Sequence, residues 1–343
     1  MSGVYSSQLL SGPRGRRLLL ELASSRNEVL EKLLIQSVAG GLDSHIRAQV
    51  IVELGRSVAA VEAEPPNEYE LLLALRETVA SAQYWQSPDI EDALLSQQSV
   101  AAALRPLAKA VAEVVPQWWS SDMGGQQRRV QEETAIPFSD PAAWEAAAGV
   151  QQWYRRAMAE ELHSQQHDTD PEAEISGMWW STPAHEAVPA TTRSLGDLGP
   201  VGLWAQEDMS VSQHAVTWPI EIVGPSKVLE IRSAADYVKL VERYPLRMTR
   251  SRLHDWYRVT GSVDEWFIPH WGLIAKEYEA VHLSAVAYLE TATRRLPIAG
   301  GSTMLAGWSP DVTYWIGNCV VGGSSPQEWE HKAVGNGDLW LAA

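Results

Sequence analysis

The spacing of the apolar residues changes at one polar, acidic stretch near the middle of the chain, residues 163–174. Before this stretch, apolar residues recur at intervals of three and four, as at Leu72, Leu75 and Val79, which is typical of a helix with one buried face. After it, short runs rich in β-branched and aromatic residues are separated by Pro and Gly, a pattern that favours strands joined by turns. The chain is therefore predicted to have an α+β fold, with its helices before its sheet.

Two domains are predicted on either side of the polar stretch. An all-α helical domain covers residues 1–165, and a domain with a mainly antiparallel β-sheet and a few helices covers residues 175–343. The first contains no strand pattern, and its predicted helices cover residues 16–22, 27–38, 44–63, 67–84, 90–115 and 141–163. The second has predicted strands over residues 177–182, 202–206, 215–218, 228–231, 280–289, 303–307 and 313–316, and predicted helices over residues 233–244 and 271–278. We expect the ligand or active site in the second domain.

Charge and cysteine content exclude several classes of protein. The formal charge of −16 argues against a general nucleic-acid binder, since binding to phosphates needs a basic surface. The single cysteine, Cys319, excludes an internal disulfide and a cysteine-rich metal site. Neither a secretion signal nor an apolar run long enough to span a membrane is evident, so no membrane contact is expected and a cytoplasmic location is the default.

No metal site is predicted, although four residues of metal-binding types lie close together in the polar stretch. These are His163, His167, Asp168 and Asp170. No further pair of such residues recurs at a fixed spacing elsewhere in the sequence. A flexible linker with incidental histidines is therefore the preferred interpretation of this stretch.

One group of candidate site residues lies in a tryptophan-rich segment of the second domain. Trp180, Ser181 and Thr182 end a predicted strand, and Arg193 follows ten residues after Pro183. Indole rings suit the walls of ligand sites, and hydroxyl groups and guanidinium groups supply hydrogen bonds. These four residues are predicted to bind a cofactor. The alternative is that Ser-Thr before Pro is an ordinary strand end.

A second group lies in the one strongly basic stretch of this acidic chain, between Arg243 and Arg258. Arginine and aromatic residues are interleaved there, among them Arg250, Arg252 and Trp256. Guanidinium groups match phosphate oxygens, and aromatic rings stack on other rings. These three residues are therefore predicted to bind a nucleotide-like ligand.

A third group comprises two glutamates and a histidine. Glu277 and Glu279 directly precede the predicted strand over residues 280–289, and His270 lies just upstream between a proline and a tryptophan. Carboxylates held at the start of a strand and a histidine in such a setting are candidate catalytic groups. The alternative for the two glutamates is an ordinary amphipathic edge.

Taken in chain order, the aromatic segment with Ser181 and Thr182 followed by Glu277-x-Glu279 resembles the motif pattern of mono-ADP-ribosyltransferases. The resemblance implies that NAD is the substrate and that Ser181 and Thr182 shape the NAD pocket. It also implies that Glu279 stabilises the oxocarbenium-like ribose as nicotinamide leaves, and that Glu277 orients the acceptor. The helical domain would then be an accessory or partner-binding domain.

Two other functions are compatible with the sequence. The chain has 16 Trp and 10 Tyr but only 2 Phe, and Trp, Tyr and Arg concentrate binding energy at interfaces. One alternative is therefore a non-catalytic protein with a Trp-lined groove for a protein or peptide partner. The other is a small-molecule biosynthetic enzyme with His270 or Glu277 as general base. The whole chain also resembles uncharacterised tryptophan-rich bacterial proteins, and that resemblance implies no activity.

Overall fold

A computed structural model of the chain describes residues 2–41, 43–132, 145–183, 188–207, 212–334 and 337–343. The helices are α1 (Ser2–Ser11), α2 (Pro13–Ser24), α3 (Glu28–Gly40), α4 (Ser44–Ala63), α5 (Glu68–Ala80), α6 (Ile90–Leu95), α7 (Gln98–Ala103), α8 (Arg105–Ala112), α9 (Ala146–Ser164), α10 (Ala234–Arg243), α11 (Thr249–Thr260), α12 (Trp271–Ile274) and α13 (Ala285–Thr291). The strands are β1 (Gln127–Glu132), β2 (Ala190–Arg193), β3 (His214–Ile222), β4 (Val228–Ile231), β5 (Pro245–Arg247), β6 (Phe267–Pro269), β7 (Ala280–Leu283), β8 (Leu296–Ile298), β9 (Gly301–Thr303), β10 (Thr313–Trp315), β11 (Val320–Gly322), β12 (Gln327–Val334) and β13 (Gly337–Ala342).

The main sheet has the strand order β13-β12-β3-β1-β2-β10-β7-β4, and β11 also pairs with β3. Its pairings are antiparallel apart from the parallel pair of β4 and β7. Two short antiparallel pairs, β5 with β6 and β8 with β9, lie outside it. A mixed fold with helices first and a large, mainly antiparallel sheet after them is therefore confirmed.

Side-chain caps fix where several helices begin. Asp43 accepts a hydrogen bond from a backbone N–H in the first turn of α4 at 2.7 Å, and Asn67 forms a capping box with Glu70 at the start of α5. The predicted helix over residues 44–63 is confirmed at both ends. The predicted start of a helix at residue 141 lies outside the described residues.

Strand β1 corrects the prediction that no strand occurs in the first half of the chain. It lies between β2 and β3, with Arg128 opposite Thr192 and Val130 opposite Thr217. Its sequence, Gln-Arg-Arg-Val-Gln-Glu, has one apolar residue and so carries no strand pattern. Pairing on both sides, and not intrinsic preference, makes this segment a strand.

The predicted strand over residues 280–289 is wrong in its second part. Strand β7 ends at Leu283, and the side chain of Ser284 then caps α13 by accepting a hydrogen bond from the backbone N–H of Ala287 at 3.2 Å. An uninterrupted apolar run suits a buried strand and a buried helix equally well. The serine cap decides between them.

Three further predicted strands are also corrected. Residues 177–182 pair with no strand among the described residues, residues 202–206 begin in the short 3-10 helix Val201–Leu203, and the segment 303–307 contributes only its first residue to β9. Helix α11 was not predicted. Its residues 251–256 are buried on every side, so its sequence lacks the single apolar face by which a surface helix is recognised.

The N-terminal helices pack against the sheet-bearing half through α13. Helices α1 and α2 both contact α13, and Gly12 lies so close to the carbonyl group of Leu289 that a Cβ atom would overlap it. Buried side chains from both halves belong to one hydrophobic core. The division into two domains between residues 165 and 175 stays a prediction. No helix in the described part of the chain has the length and apolar character needed to cross a membrane.

Candidate functional site

A cavity of about 260 Å³ lies on one face of the main sheet, over β1, β2 and β10. Its floor includes Val130, Thr192 and Tyr314, and its walls include Trp180 and Glu207. Most ligand sites are concave and largely apolar, with a few polar groups that fix the orientation of the ligand. This cavity is concave, and its described lining combines apolar residues with about as many polar ones.

The alternation of side chains along β2 and β10 decides which residues reach the cavity. Thr192 and Tyr314 point into it. On the opposite face, Trp315 Nε1 donates a hydrogen bond to Thr191 Oγ1 at 2.8 Å, and Thr191 Oγ1 donates to Gln127 Oε1 at 2.8 Å. These bonds join β10, β2 and β1 on the face of the sheet behind the cavity.

Glu207 is the charged group of the cavity wall and is only 9% exposed. Its Oε1 atom accepts hydrogen bonds from the hydroxyl groups of Tyr84 at 2.6 Å and of Tyr288 at 2.8 Å. Burial and the charge of Glu207 raise the pKa of both tyrosines well above 10, so both remain neutral donors. Two hydroxyl donors on one oxygen stabilise and orient the buried carboxylate.

Aromatic rings pack in and behind the cavity wall next to Glu207, and two of them, Trp180 and Tyr314, line the cavity itself. Trp179 stacks on Tyr84 with ring centroids 5.1 Å apart, and it lies 4.6 Å from Trp180. On the other side, the rings of Trp308 and Tyr314 are 5.4 Å apart, and burial raises the pKa of Tyr314 to about 12. This part of the wall is therefore closely packed and aromatic, and Glu207 is the one charged side chain in the described lining.

Helix α11 holds the segment that carries Trp180. The side chain of Asp255 accepts hydrogen bonds from Ser176 Oγ at 2.9 Å and from the backbone N–H of Gly177 at 3.0 Å. Trp256 Nε1 then donates to the carbonyl oxygen of Trp179 at 3.0 Å. Most of the backbone hydrogen bonds of this segment are made with side chains, apart from the Ser181 N–H that donates to the carbonyl oxygen of Ala306, so the segment is not paired as a strand.

Several of the predicted cofactor-binding residues lie close together here, but their side chains form hydrogen bonds with the protein backbone. Arg252 Nη2 donates to the carbonyl oxygen of Trp180 at 2.7 Å, and burial lowers the pKa of Arg252 to about 10. Ser181 is buried, and its Oγ lies 3.0 Å from the backbone nitrogen of Ala306 and 3.2 Å from its carbonyl oxygen. Trp271 Nε1 donates to the carbonyl oxygen of Ser181 at 3.1 Å. Trp180 itself lines the cavity.

Two other predicted cofactor-binding residues, Thr182 and Arg250, lie away from the cavity lining. The hydroxyl group of Thr182 is fully buried beside that of Tyr314. Arg250 Nη2 donates to the carbonyl oxygen of His167 at 3.0 Å, so it joins the start of α11 to the segment that follows α9. Neither residue is among the described lining of the cavity.

Arg193 belongs to a buried polar network on the opposite face of the sheet. Its Nε lies 2.6 Å from Oδ1 of Asp311, and its backbone N–H donates to Oδ2 of the same residue at 3.0 Å. His282 lies between two carboxylates, with Nδ1 2.6 Å from Glu230 Oε2 and Nε2 3.3 Å from Asp311 Oδ1. The guanidinium group of Arg193 thus stabilises a cross-strand network.

The predicted catalytic residues lie outside the described cavity lining. Glu277 forms an exposed ion pair with Arg243. The Glu279 side chain packs against Gly317, and burial together with the charge of Glu279 raises the pKa of the Cys319 thiol to about 11. Among the described residues, no hydrogen bond or ion pair joins Glu279 to the Trp180 segment.

His270 serves as a helix cap. Its Nδ1 accepts a hydrogen bond from the backbone N–H of Leu273 at 3.3 Å at the start of α12, and its ring stacks on Tyr154 with centroids 4.8 Å apart. Burial lowers the pKa of His270 below 6.5. The imidazole is therefore neutral near pH 7, and its acceptor nitrogen is engaged by the backbone.

The sequence carries no signal for the carboxylate of this cavity. Glu207, Tyr84 and Tyr288 come from three distant segments, and no pattern in the sequence connects them. Over the residues that the structure describes, no group of three or more His, Cys, Asp or Glu side chains has the geometry to hold a metal ion.

Comparison of the chain with protein-family models, with curated proteins and with solved structures finds no match. What the site can bind is therefore inferred from its own geometry and chemistry.

Proposed function

We propose that this chain binds a small molecule with a flat, positively charged ring in the cavity beside Glu207. The observation that carries the proposal is the buried Glu207 carboxylate, which Tyr84 and Tyr288 hold in the cavity wall. The rings of Trp180 and Tyr314 also line this cavity. A cation is attracted both to a carboxylate and to the faces of aromatic rings, and both attractions are stronger where water is excluded.

The size of the cavity limits the ligand. Its volume of about 260 Å³ is slightly below the range of about 300–1,000 Å³ that is usual for sites of drug-sized ligands. One ring with a small substituent fits such a volume, whereas a whole dinucleotide extends beyond it. The polar groups of Thr192 and Ser309 in the lining supply hydrogen bonds for the substituent.

We further propose that the ligand is the nicotinamide end of NAD and that the activity is transfer of its ADP-ribosyl group. The nicotinamide ring of NAD is flat and cationic. When the bond between ribose and the ring nitrogen breaks, nicotinamide leaves as a neutral molecule and positive charge develops on the ribose. A carboxylate fixed beside that bond lowers the barrier electrostatically, and water or another acceptor then attacks the ribose. In this proposal Glu207 has the role that the family resemblance assigns to Glu279.

The release of nicotinamide from NAD tests this activity in two matched variants, Glu207→Gln and Glu279→Gln. Glutamine at residue 207 keeps an acceptor for both tyrosines but removes the charge, so we expect nicotinamide release to slow by about a hundredfold or more. Glu279→Gln should leave the rate within about a factor of two, since Glu279 is not in the described cavity lining.

Loss of activity in Glu279→Gln with retention in Glu207→Gln would contradict the placement of the reaction in this cavity. Absence of nicotinamide release by the wild-type chain would contradict glycosyl transfer from NAD. Thermal unfolding of each variant provides the control for folding.

The alternative of a Trp-lined groove for a protein partner gains no support from the positions of the tryptophans. Those in the described part of the chain are buried or half-buried. The fully buried ones are Trp119, Trp204, Trp256, Trp266, Trp271, Trp308 and Trp315. Their large area is used mainly in the core, so the aromatic excess of the sequence does not require an interface.

A further inference from the structure

Two hydroxyl groups line the cavity beside Glu207, and the backbone fixes the position of each. Thr192 Oγ1 accepts a hydrogen bond from the backbone N–H of Gly202 at 3.0 Å, and Ser309 Oγ accepts one from the backbone N–H of Glu207 at 2.9 Å. Both side chains are almost completely buried, with 3% of Thr192 and 8% of Ser309 exposed. The two oxygen atoms are therefore held at defined places in the cavity wall.

The protons of these two hydroxyl groups have no acceptor within the described part of the chain. A hydroxyl group has one O–H donor and can also accept hydrogen bonds. Because each oxygen receives a backbone N–H, its own O–H bond points away from that nitrogen, and neither hydroxyl donates to a described residue. Buried donors are normally satisfied by protein, water or a ligand. A ligand with an acceptor atom in the cavity would satisfy them.

The charge of the cavity restricts which acceptor groups can bind there. Glu207 is the one charged side chain in the described lining, which contains no Lys, Arg or His. A carboxylate on the ligand would find no cationic side chain in this lining and would be repelled by Glu207. A neutral acceptor, such as the oxygen of a carboxamide, meets no such repulsion.

We propose that this cavity selects a cationic ring that carries a carboxamide and discriminates against the same ring with a carboxylate. The inference rests on the proposed function, because it specifies the substituent of the ring that Glu207 binds. Thr192 and Ser309 determine the specificity, since their hydroxyl groups are the donors to the carboxamide oxygen. The side chain of Gln206, also in the lining, has an oxygen that accepts from the amide N–H. Of two dinucleotides that differ only in this group, NAD is then the substrate and its nicotinate analogue is not.

The hydroxyl groups and the carboxylate have separate effects on selectivity. A cavity arranged to hydrogen-bond a substituent disfavours a ligand that lacks it, because the buried donors are left without a partner. A carboxylate could also accept from the two hydroxyl groups, and it has nearly the shape of a carboxamide. Discrimination against the carboxylate therefore comes from the fixed charge of Glu207.

Isothermal titration near pH 7 with three cations tests the proposal. These are 1-methylnicotinamide, 1-methylnicotinate and 1-methylpyridinium, whose rings carry a carboxamide, a carboxylate and no such substituent. Wild-type protein should bind the first about tenfold or more tightly than either of the others. Thr192→Val and Ser309→Ala should each reduce the preference for 1-methylnicotinamide over 1-methylpyridinium by about fivefold. Glu207→Gln should instead abolish the discrimination against 1-methylnicotinate.

Two further variants serve as matched controls. Thr192→Ser keeps the hydroxyl group and should keep the preference for the carboxamide. Thr313→Val removes a buried hydroxyl group from the neighbouring strand β10, on the opposite face from Tyr314, and should leave all three affinities unchanged. Since Ser309 Oγ also holds the backbone of Glu207, circular dichroism checks the folding of Ser309→Ala, and Thr192→Val decides if that variant unfolds.

Equal affinity of the wild type for the three cations would overturn this inference and leave a site for cationic rings in place. Tighter binding of 1-methylnicotinate than of 1-methylnicotinamide, or an unchanged preference in both hydroxyl variants, would also overturn it. Equal affinity for 1-methylnicotinamide and neutral nicotinamide would overturn the proposed function instead, because that pair differs in the charge of the ring and shares the carboxamide.

Discussion

At residue scale, Gly307 controls the position of the cavity wall. Its φ of +69° lies in the left-handed region, and a Cβ atom on it would overlap Cδ1 of Trp180. The need for glycine here is not visible in the sequence, because it depends on a tryptophan more than 120 residues earlier. The Asp43 cap, by contrast, is predictable from sequence, since the side chain and its partner lie within one turn.

Gly307→Ala is expected to destabilise the fold by more than backbone strain alone. Gly261→Ala is the matched control, because Gly261 has φ +66° and open space around its Cα. The control should lower the free energy of unfolding by about 1–2 kcal/mol, and Gly307→Ala should lower it by a further 1 kcal/mol or more, roughly the cost of overpacking. Urea denaturation measures both, and equal losses would show that Gly307 does not set the position of Trp180.

At the scale of elements, the polar network of His282 joins strands that are distant in the sequence. Arg193 belongs to β2, Glu230 to β4 and His282 to β7, and Asp311 precedes β10. The strands β4 and β10 are predictable from their local patterns, but the network depends on their order in the sheet. Local patterns do not specify that order, because it is decided by packing between distant segments.

The network predicts a pH dependence of stability. Burial alone would lower the pKa of His282, but hydrogen bonds to Asp311 and Glu230 outweigh it and raise the pKa above 6.5. A raised folded-state pKa means that the protonated imidazole stabilises the fold fully below the unfolded-state pKa of about 6.5, and that this contribution is lost as pH rises through the folded-state value. The carboxylates of Glu230 and Asp311 favour the protonated form of His282. The positive charge of Arg193, which is paired with the same Asp311, disfavours it.

The comparison of wild type with His282→Gln isolates this effect. The difference in the free energy of unfolding between them should be largest at pH values below about 6.5 and should shrink as pH rises. Urea denaturation at a series of pH values measures it. A difference that stays constant, or grows with pH, would be incompatible with a protonated His282 in the folded protein.

At the scale of the whole molecule, the two halves of the chain combine to build the candidate site. Tyr84 follows a helix of the N-terminal half, and Tyr288 lies on α13, yet both donate to Glu207. The sequence predicts the mixed fold, because helical and strand patterns are local. It does not predict this cavity, because its carboxylate and both donors come from segments brought together only by the shared core.

The central claim, a cavity that selects a cationic ring through Glu207, is tested most directly with two ligands of nearly the same shape. 1-Methylnicotinamide carries a positive charge, and nicotinamide is neutral. Isothermal titration should show that wild-type protein binds the cation about tenfold more tightly and that Glu207→Gln abolishes this preference. Equal affinity of the wild type for both ligands, or an unchanged preference in Glu207→Gln, would contradict the claim.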